Sequence, residues 1–173
     1  TSCAFCASCG YSIHLMKILA SILMLVSTLT AAEYPQMGED IYPVEADAQA
    51  DITAALATAK SANKRVLLKF GANWCIWCHR LSDTLHHETS VAQNLEDNYV
   101  LVAVDVNTRN GTNRNADTIA KYGNSTQHGL PVLVVLDADG QILTTQETGA
   151  LEEGAAHSPA KIIVFLDQWA PVR

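Results

Sequence analysis

Hydrophobic and polar positions follow two different periods along this chain. Over residues 47–62 apolar side chains recur every three or four positions, which predicts an amphipathic helix that Asp47 can cap. Over residues 66–70 and 99–106 apolar residues run almost without interruption, which is typical of strands buried on both faces. The predicted elements are helices at 47–62, 75–87, 90–97, 116–122 and 159–169, and strands at 66–70, 99–106, 132–136 and 141–148.

The last two strands form a predicted hairpin. They are joined by the turn Asp-Ala-Asp-Gly at residues 137–140. Ser158-Pro159 then opens the final helix, because proline is well accommodated in a first helical turn. The order βαβαββα, with a helix in front, predicts an α/β fold in which a central mixed β-sheet is flanked by helices within a single domain.

Residues 16–32 have the pattern of a secretory signal peptide. Lys17 precedes a short apolar core, and small residues follow up to Ala32, after which we expect cleavage. The core is shorter than the roughly 20 apolar residues that span a bilayer. We therefore expect a periplasmic or secreted protein, which contacts the membrane only if this segment is retained.

Residues 1–15 are expected to be a non-native upstream extension, because a signal peptide ordinarily begins its chain. This segment holds three of the five cysteines, namely Cys3, Cys6 and Cys9. An iron–sulfur or zinc half-site is the alternative interpretation, but the fourth cysteine of the bacterial cluster pattern is missing. The remainder divides into an irregular lead-in at 33–46 and a domain at 47–173.

The candidate chemistry lies in Cys75 and Cys78, at the predicted junction between the strand 66–70 and the helix that follows it. Two cysteines at this spacing can close a disulfide and open it again, and the start of a helix suits thiol–disulfide exchange. Removal of residues 1–32 would leave them as the only cysteines. The net charge of −7, without a basic stripe, argues against a nucleic-acid partner.

This arrangement resembles the thioredoxin superfamily, and it looks closest to the exported bacterial thioredoxin-like thiol–disulfide oxidoreductases. The residues that carry the resemblance are Trp74-Cys75-x-x-Cys78, Gly129-Leu130-Pro131, Gly149-Ala150-Leu151 and Phe165-Leu166-Asp167. The resemblance implies a thioredoxin-like fold and an enzyme that exchanges disulfides with exported proteins, with reduction somewhat favoured over oxidation. It implies no cofactor or metal beyond a redox-active Cys75–Cys78 disulfide. The implied partners are cysteine-containing protein substrates and a redox-recycling partner.

The resemblance also implies roles for single residues. Cys75 corresponds to the attacking thiol, exposed at the helix N-terminus, where the helix dipole favours a thiolate. Cys78 corresponds to the shielded resolving thiol. Pro131 matches the cis-proline of the family, and the backbone of the preceding Leu130 would then contact an extended substrate.

Two tryptophans and two basic residues complete the expected site. Trp74 matches the tryptophan that covers the site, and Trp77 is expected to be exposed and to contact the substrate. Lys69 occupies the position where reductases of the family often carry a buried carboxylate. Either its charge favours a thiolate, or its side chain points away from the site or extends to the edge of the sheet. His79, in the first helical turn, is expected to tune the Cys75 thiolate if it lies near that sulfur.

Other functions remain open for the same residues. Cys75–His79 also spell Cys-x-x-Cys-His, the attachment motif of c-type haem, although here the motif follows a buried strand. A zinc site could combine Cys75, Cys78 and His79 with His86 or His87, but His79 and His86 would lie about 10.5 Å apart along a helix. A redox-inert disulfide and a non-catalytic thioredoxin-fold binding module are further alternatives.

Overall fold

The structure is a computed structural model that describes residues 37–109, 112–123 and 125–172. The predicted extension at 1–15 and signal peptide at 16–32 lie outside these residues, as do the first four residues of the lead-in. The helices are α1 (Ala48–Ala62), α2 (Ile76–His87), α3 (Thr89–Asn98), α4 (Ala116–Lys121) and α5 (Pro159–Trp169). The strands are β1 (Arg65–Gly71), β2 (Tyr99–Asp105), β3 (Val132–Leu136), β4 (Ile142–Glu147), β5 (Glu152–Glu153) and β6 (Ala156–His157).

The predicted mixed sheet is confirmed. Four strands lie in the order β2-β1-β3-β4, where β1 pairs in parallel with β2 and antiparallel with β3, and β3 pairs antiparallel with β4. The two central strands, β1 and β3, are buried along nearly their whole length because helices cover both faces of the sheet. The short pair β5–β6 forms a separate hairpin.

The core lies in two layers, one on each face of the sheet. Val66, Leu68 and Phe70 of β1 pack on the α1 side. The alternate residue Leu67 packs on the opposite side, with α2, α3 and α5. This alternation follows from the two-residue period of a strand, and it places β1 at the centre of the molecule. The carboxyl end of β1, just before the turn that leads to α2, therefore has packed core on both sides.

Local signals explain the helix bounds. The Asp47 side chain accepts hydrogen bonds from the backbone N–H groups of Gln49 and Ala50, at 3.0 and 3.1 Å, and so caps α1. Asn63 ends α1 in the left-handed conformation, with φ of 50°. Glu88 has an extended backbone between α2 and α3, which is the predicted break in that helical region.

Residues 37–46 contain no helix or strand, yet they contribute to the core. Tyr42 is only 1% exposed and packs with both cysteines of the domain. Within the part of the chain that the structure describes, no helix combines the length and apolar character needed to cross a membrane.

Candidate active site

The cysteine pair lies at the turn between β1 and α2. Cys75 is the N-cap of α2, and its Sγ accepts a hydrogen bond from the backbone N–H of Cys78 at 3.2 Å. The backbone N–H of Cys75 in turn donates to the carbonyl of Ala72 at 3.0 Å. The sulfur thus occupies the place that a serine or aspartate oxygen fills at most helix starts, next to the positive end of the helix.

The surroundings of Cys75 stabilise its thiolate. Its pKa is lowered mainly by a hydrogen bond from the Cys78 side chain, with further contributions from backbone N–H groups and from the positive charge of Arg109; burial opposes the shift. Cys75 is only 6% exposed, so the expectation of an exposed nucleophile was wrong. The Leu130 carbonyl covers it, with Sγ and oxygen 3.7 Å apart, and the Leu130–Pro131 peptide bond is cis.

Cys78 lies in an environment that disfavours its thiolate. It is fully buried, and burial raises its pKa far above that of an ordinary thiol, with the neighbouring Cys75 sulfur adding to the increase. Backbone and Tyr42 interactions reduce this effect without cancelling it. Both cysteines are free thiols in this structure. Their arrangement therefore supports one thiolate, on Cys75, beside one protonated thiol.

Lys69 lies in the interior of the domain. It is 1% exposed, its Nζ donates to the Ser82 hydroxyl at 3.2 Å, and Nζ lies 4.6 Å from the centroid of the Tyr42 ring. Burial lowers the pKa of Lys69 to about 8, while Cys78 acts in the opposite direction. The structure thus separates the two interpretations of Lys69, because the side chain faces the site and does not reach the edge of the sheet.

Tyr42 is the residue that sequence reasoning missed most clearly. The side chain of Asn73 holds the backbone here: Oδ1 accepts from the N–H groups of Ile41 at 2.9 Å and Tyr42 at 2.8 Å, and Nδ2 donates to the Tyr42 carbonyl at 3.0 Å. The lead-in is therefore fixed to the residue just before Trp74. The apolar pair Ile41-Tyr42, next to Glu39 and Asp40, was the one signal of burial in this segment.

Trp74 is positioned by the loop that follows β2. Its Nε1 donates to Asn107 Oδ1 at 3.2 Å, and the Arg109 guanidinium lies 4.0 Å from the centroid of its ring. Asn107 Oδ1 also accepts from the backbone N–H of Arg109 at 3.3 Å. Because β2 pairs with β1 in parallel, this loop arrives at the same edge of the sheet as the cysteines. The polar loop was predicted, but its contact with Trp74 was not.

Trp77 is partly buried, so its predicted exposure was wrong. Its ring packs against the Arg80 guanidinium, 4.5 Å from the centroid, and edge-on against His157 at 5.7 Å. His157 comes from β6 and is buried, and burial lowers its pKa to about 4. The side chain between the cysteines that does reach solvent is Ile76, which is 43% exposed.

His79 contacts the backbone of the turn that precedes Cys75. Its Nε2 lies 2.7 Å from the Asn73 carbonyl oxygen, so the ring braces the backbone that precedes Cys75. Among residues 37–109, 112–123 and 125–172, no group of three or more His, Cys, Asp or Glu side chains is arranged to hold a metal ion. The alternative zinc site at Cys75, Cys78 and His79 is therefore not assembled in this part of the chain.

A groove of about 610 Å³ runs past Cys75. Four of the sequence-predicted site residues line it, and Pro131 is buried behind Leu130. Most of the lining is apolar, and Arg109 contributes a positive charge. The lining residues are Met37, Trp74, Cys75, Ile76, Trp77, Thr108, Arg109, Thr126, Gly129 and Leu130. The site can therefore hold an extended, largely apolar segment directly against Cys75.

Known proteins resemble this chain in sequence and in fold. A thioredoxin-like family model matches residues 47–138. The thiol:disulfide interchange protein DsbD of Vibrio vulnificus is 36% identical over 85 residues, which are 49% of this chain and 13% of DsbD. The structure of a disulphide isomerase from Xylella fastidiosa is 31% identical, with a TM-score of 0.66 over 75% of this chain and 96% of that one.

A further structure shows the same fold at lower identity. The C-terminal domain of Neisseria meningitidis DsbD in its oxidised form is 24% identical, with a TM-score of 0.53 over 72% of this chain and 97% of that one. The region matched by the family model, residues 47–138, includes both cysteines and Pro131. The chain therefore belongs to the thioredoxin-like family.

Proposed function

We propose that this protein is a thiol–disulfide oxidoreductase in which Cys75 attacks a substrate disulfide and Cys78 resolves the product. The observation that carries the proposal is that the two thiols differ in hydrogen bonding and in burial. The Cys75 sulfur accepts a backbone N–H at the start of α2, whereas Cys78 is fully buried. One sulfur is prepared to be a thiolate and the other is protected until it is needed.

The proposed reaction moves two electrons and needs no further cofactor. The Cys75 thiolate attacks one sulfur of the substrate disulfide, whose other sulfur leaves as a thiolate and takes up a proton. Cys78 then loses its proton and attacks the Cys75 sulfur, which breaks the mixed disulfide and releases the second substrate thiolate. The substrate is reduced and Cys75–Cys78 becomes a disulfide. The reverse sequence oxidises a dithiol substrate.

We place the substrate in the groove beside Cys75. Trp74 and Trp77 form its apolar walls, and Leu130, followed by Pro131, presents a backbone carbonyl on the opposite side of the sulfur. A polypeptide that carries its disulfide across this gap would contact apolar side chains on one side and backbone on the other. Lys69 supports the pair through its charge from the interior of the domain, and the partly buried His79 holds the turn through its contact with the Asn73 carbonyl.

We propose reduction of exported proteins as the direction of exchange. Export is inferred from the signal-peptide pattern at residues 16–32. The direction rests on the resemblance to the thioredoxin superfamily. A strongly oxidising member of the family is one whose reduced form is stabilised, so the redox potential of the pair tests the direction. A reductase in an oxidising compartment requires a partner that returns electrons to the Cys75–Cys78 pair.

The geometry favours exchange over attachment of c-type haem. Thioether formation would need both sulfurs to reach the porphyrin, but Cys78 has no exposed surface. The histidine of the motif, His79, has its Nε2 beside the Asn73 carbonyl. A non-catalytic binding module of the same fold would lack turnover, which an activity measurement distinguishes.

The experiment is an equilibrium redox titration of the full chain with Cys3, Cys6 and Cys9 replaced by serine. Tryptophan fluorescence follows the pair in glutathione buffers, because Trp74 and Trp77 flank Cys75. A potential near about −270 mV supports a reductase and one near about −120 mV an oxidant. Absence of a redox transition overturns the proposal. Insulin reduction that disappears in Cys75→Ser then separates catalysis from binding alone.

A further inference from the structure

Tyr42 places an ionisable hydroxyl beside the resolving thiol. Among the described residues this buried hydroxyl has no hydrogen-bond partner of good geometry, and an unpaired buried hydroxyl is costly to maintain. Cys78 is its neighbour, because the Tyr42 hydroxyl and Cys78 Sγ lie against the same glycine, Gly71. Burial raises the pKa of Tyr42 and Cys78 adds to the increase, while the Tyr42 hydroxyl lowers the pKa of Cys78 against the larger effect of burial. A hydroxyl held in this way is ready to donate to sulfur once that sulfur becomes an anion.

The backbone at Gly71 leaves the space that this contact needs. A Cβ added to Gly71 would lie 2.2 Å from the Tyr42 hydroxyl oxygen and 2.8 Å from Cys78 Sγ, so both atoms pack against the same side of that glycine. The three hydrogen bonds between the Asn73 side chain and the backbone of Ile41 and Tyr42 hold the tyrosine in place.

Lys69 completes the arrangement from the face of the Tyr42 ring, where its Nζ lies 4.6 Å from the ring centroid. Cys75 and Asp105 add to the rise in the Tyr42 pKa that burial causes, and the Lys69 charge adds to the lowering of the His86 pKa that burial causes. Lys69 itself occupies the strand position where reductases of the family often carry a buried carboxylate.

We propose that in the resolving step Lys69 acts as the base for Cys78 and the Tyr42 hydroxyl acts as a hydrogen-bond donor to its sulfur. This proposal rests on the proposed function. The Cys78 proton passes to the neutral Lys69 amine, and the Tyr42 hydroxyl donates a hydrogen bond to the sulfur as it becomes negative. The sulfur then bonds to Cys75 Sγ, the mixed disulfide breaks, and the substrate thiolate leaves. Tyr42 remains protonated throughout, and Lys69 later returns its proton to solvent.

The acid–base properties of these side chains agree with the roles. Burial lowers the pKa of Lys69 to about 8, so a fraction of the molecules carries a neutral amine near neutral pH and the fraction grows as pH rises. The pKa of Tyr42 is raised well above its ordinary value, so its hydroxyl keeps the proton that it donates. In the mixed disulfide Cys75 has no thiol to titrate, which leaves Lys69 as the group expected to titrate near pH 8.

The test is the two-step reaction of the reduced protein with the aromatic disulfide DTNB, in the full chain with Cys3, Cys6 and Cys9 replaced by serine. Cys75 releases one coloured thiolate as it attacks, and Cys78 releases the second as it resolves the mixed disulfide. Tyr42→Phe is expected to slow the second release at least about tenfold and to leave the first unchanged. Lys69→Met is expected to remove the rise of the second rate through about pH 8.

Tyr99→Phe is the matched control. Tyr99 is also a buried tyrosine, but its hydroxyl donates to the Leu166 carbonyl, away from the cysteines, so both releases should keep their rates. A second release that is unchanged in Tyr42→Phe, or both releases slowed alike, overturns the role of the hydroxyl. An unchanged pH profile in Lys69→Met overturns the role of the amine. If the protein that keeps Tyr42 and Lys69 showed no first release, that result would instead contradict the proposed function.

Discussion

The backbone N–H of Cys78 donates a hydrogen bond to the Sγ of Cys75 at 3.2 Å, so the side chain that caps α2 is also the proposed nucleophile. A hydrogen bond of this kind strengthens when the acceptor is an anion. The contact that defines the first turn of the helix therefore also favours the thiolate. Because the donor is a backbone group, replacing the Cys75 side chain affects both the helix start and the chemistry, whereas replacing the Cys78 side chain leaves this donor in place.

The assignment of nucleophile and resolver predicts which single variant traps substrates. Cys78→Ser is expected to accumulate covalent complexes through Cys75, because nothing is left to resolve them. Cys75→Ser is expected to trap none, since Cys78 is fully buried, while the serine hydroxyl can still cap α2. Electrophoresis without reductant, repeated after reduction, measures the complexes. Trapping by Cys75→Ser alone would reverse the two roles.

The lowered pKa of Cys75 predicts how its reactivity depends on pH. The rate of alkylation by iodoacetamide should rise at a pH below that of an ordinary thiol, because the thiolate persists to lower pH. Cys78→Ala should move this rise to higher pH, since the hydrogen bond from Cys78 is the largest favourable cause. Arg109→Gln should move it in the same direction by less.

Lys60→Gln is the control for charge, because Lys60 is an exposed cation paired with Asp139 on the surface. It should leave the alkylation profile of Cys75 unchanged. A profile that responds equally to Arg109→Gln and Lys60→Gln would mean that Arg109 acts only through net charge, which contradicts a specific contribution at the site.

Much of the fold could be predicted because β1, β2 and β3 are nearly continuous apolar runs and the Asp47 side chain caps α1. The predicted bounds of β3 and α5 are those observed. β1 extends one residue further at each end than its apolar run, to Arg65 and Gly71, because these residues pair with Tyr99 and Asp105 of β2. Such pairing depends on a distant strand, and no periodicity within β1 contains it.

The site could be predicted only where its residues form a local motif. The cysteine pair and Pro131 fall in recognisable patterns, whereas Tyr42 reaches the site through a hydrogen bond to Asn73 across 31 residues of sequence. His157 lies in a strand of two residues, too short to show a period, yet it covers Trp77. The predicted exposure of Cys75 and Trp77 was wrong for this reason, since the covering residues come from distant segments.

The hydrogen bonds of the Asn73 side chain predict how strongly the lead-in is attached to the rest of the domain. Asn73→Ala removes three hydrogen bonds and leaves backbone groups of Ile41 and Tyr42 without them in a mostly buried place. We expect a loss of about 2–4 kcal/mol in the free energy of unfolding, measured by urea unfolding. Asn113→Ala, at an exposed loop position, should change it by less than about 0.5 kcal/mol. Equal effects of the two variants would contradict the attachment.

Gly71 predicts that the space between Tyr42 and Cys78 cannot be filled. Gly71→Ala would place a Cβ 2.2 Å from the Tyr42 hydroxyl oxygen, 2.5 Å from its Cζ and 2.8 Å from Cys78 Sγ. Tyr42 is fixed through its backbone and Cys78 lies within α2, so neither can move away cheaply. We expect a loss of about 1–3 kcal/mol in the free energy of unfolding, measured by urea unfolding.

Gly149→Ala separates this crowding from the general effect of replacing glycine. Its added Cβ would also meet an atom at 2.8 Å, but that atom is a carboxylate oxygen at the end of the exposed Glu147 side chain, which can rotate away. We expect Gly149→Ala to cost no more than about 1 kcal/mol, mainly through the weakened contacts of Glu147 with the N–H groups of Gly149 and Ala150. If Gly71→Ala were no more destabilising than this, the tyrosine could move freely beside Cys78. Its hydroxyl would then not be held against the resolving sulfur.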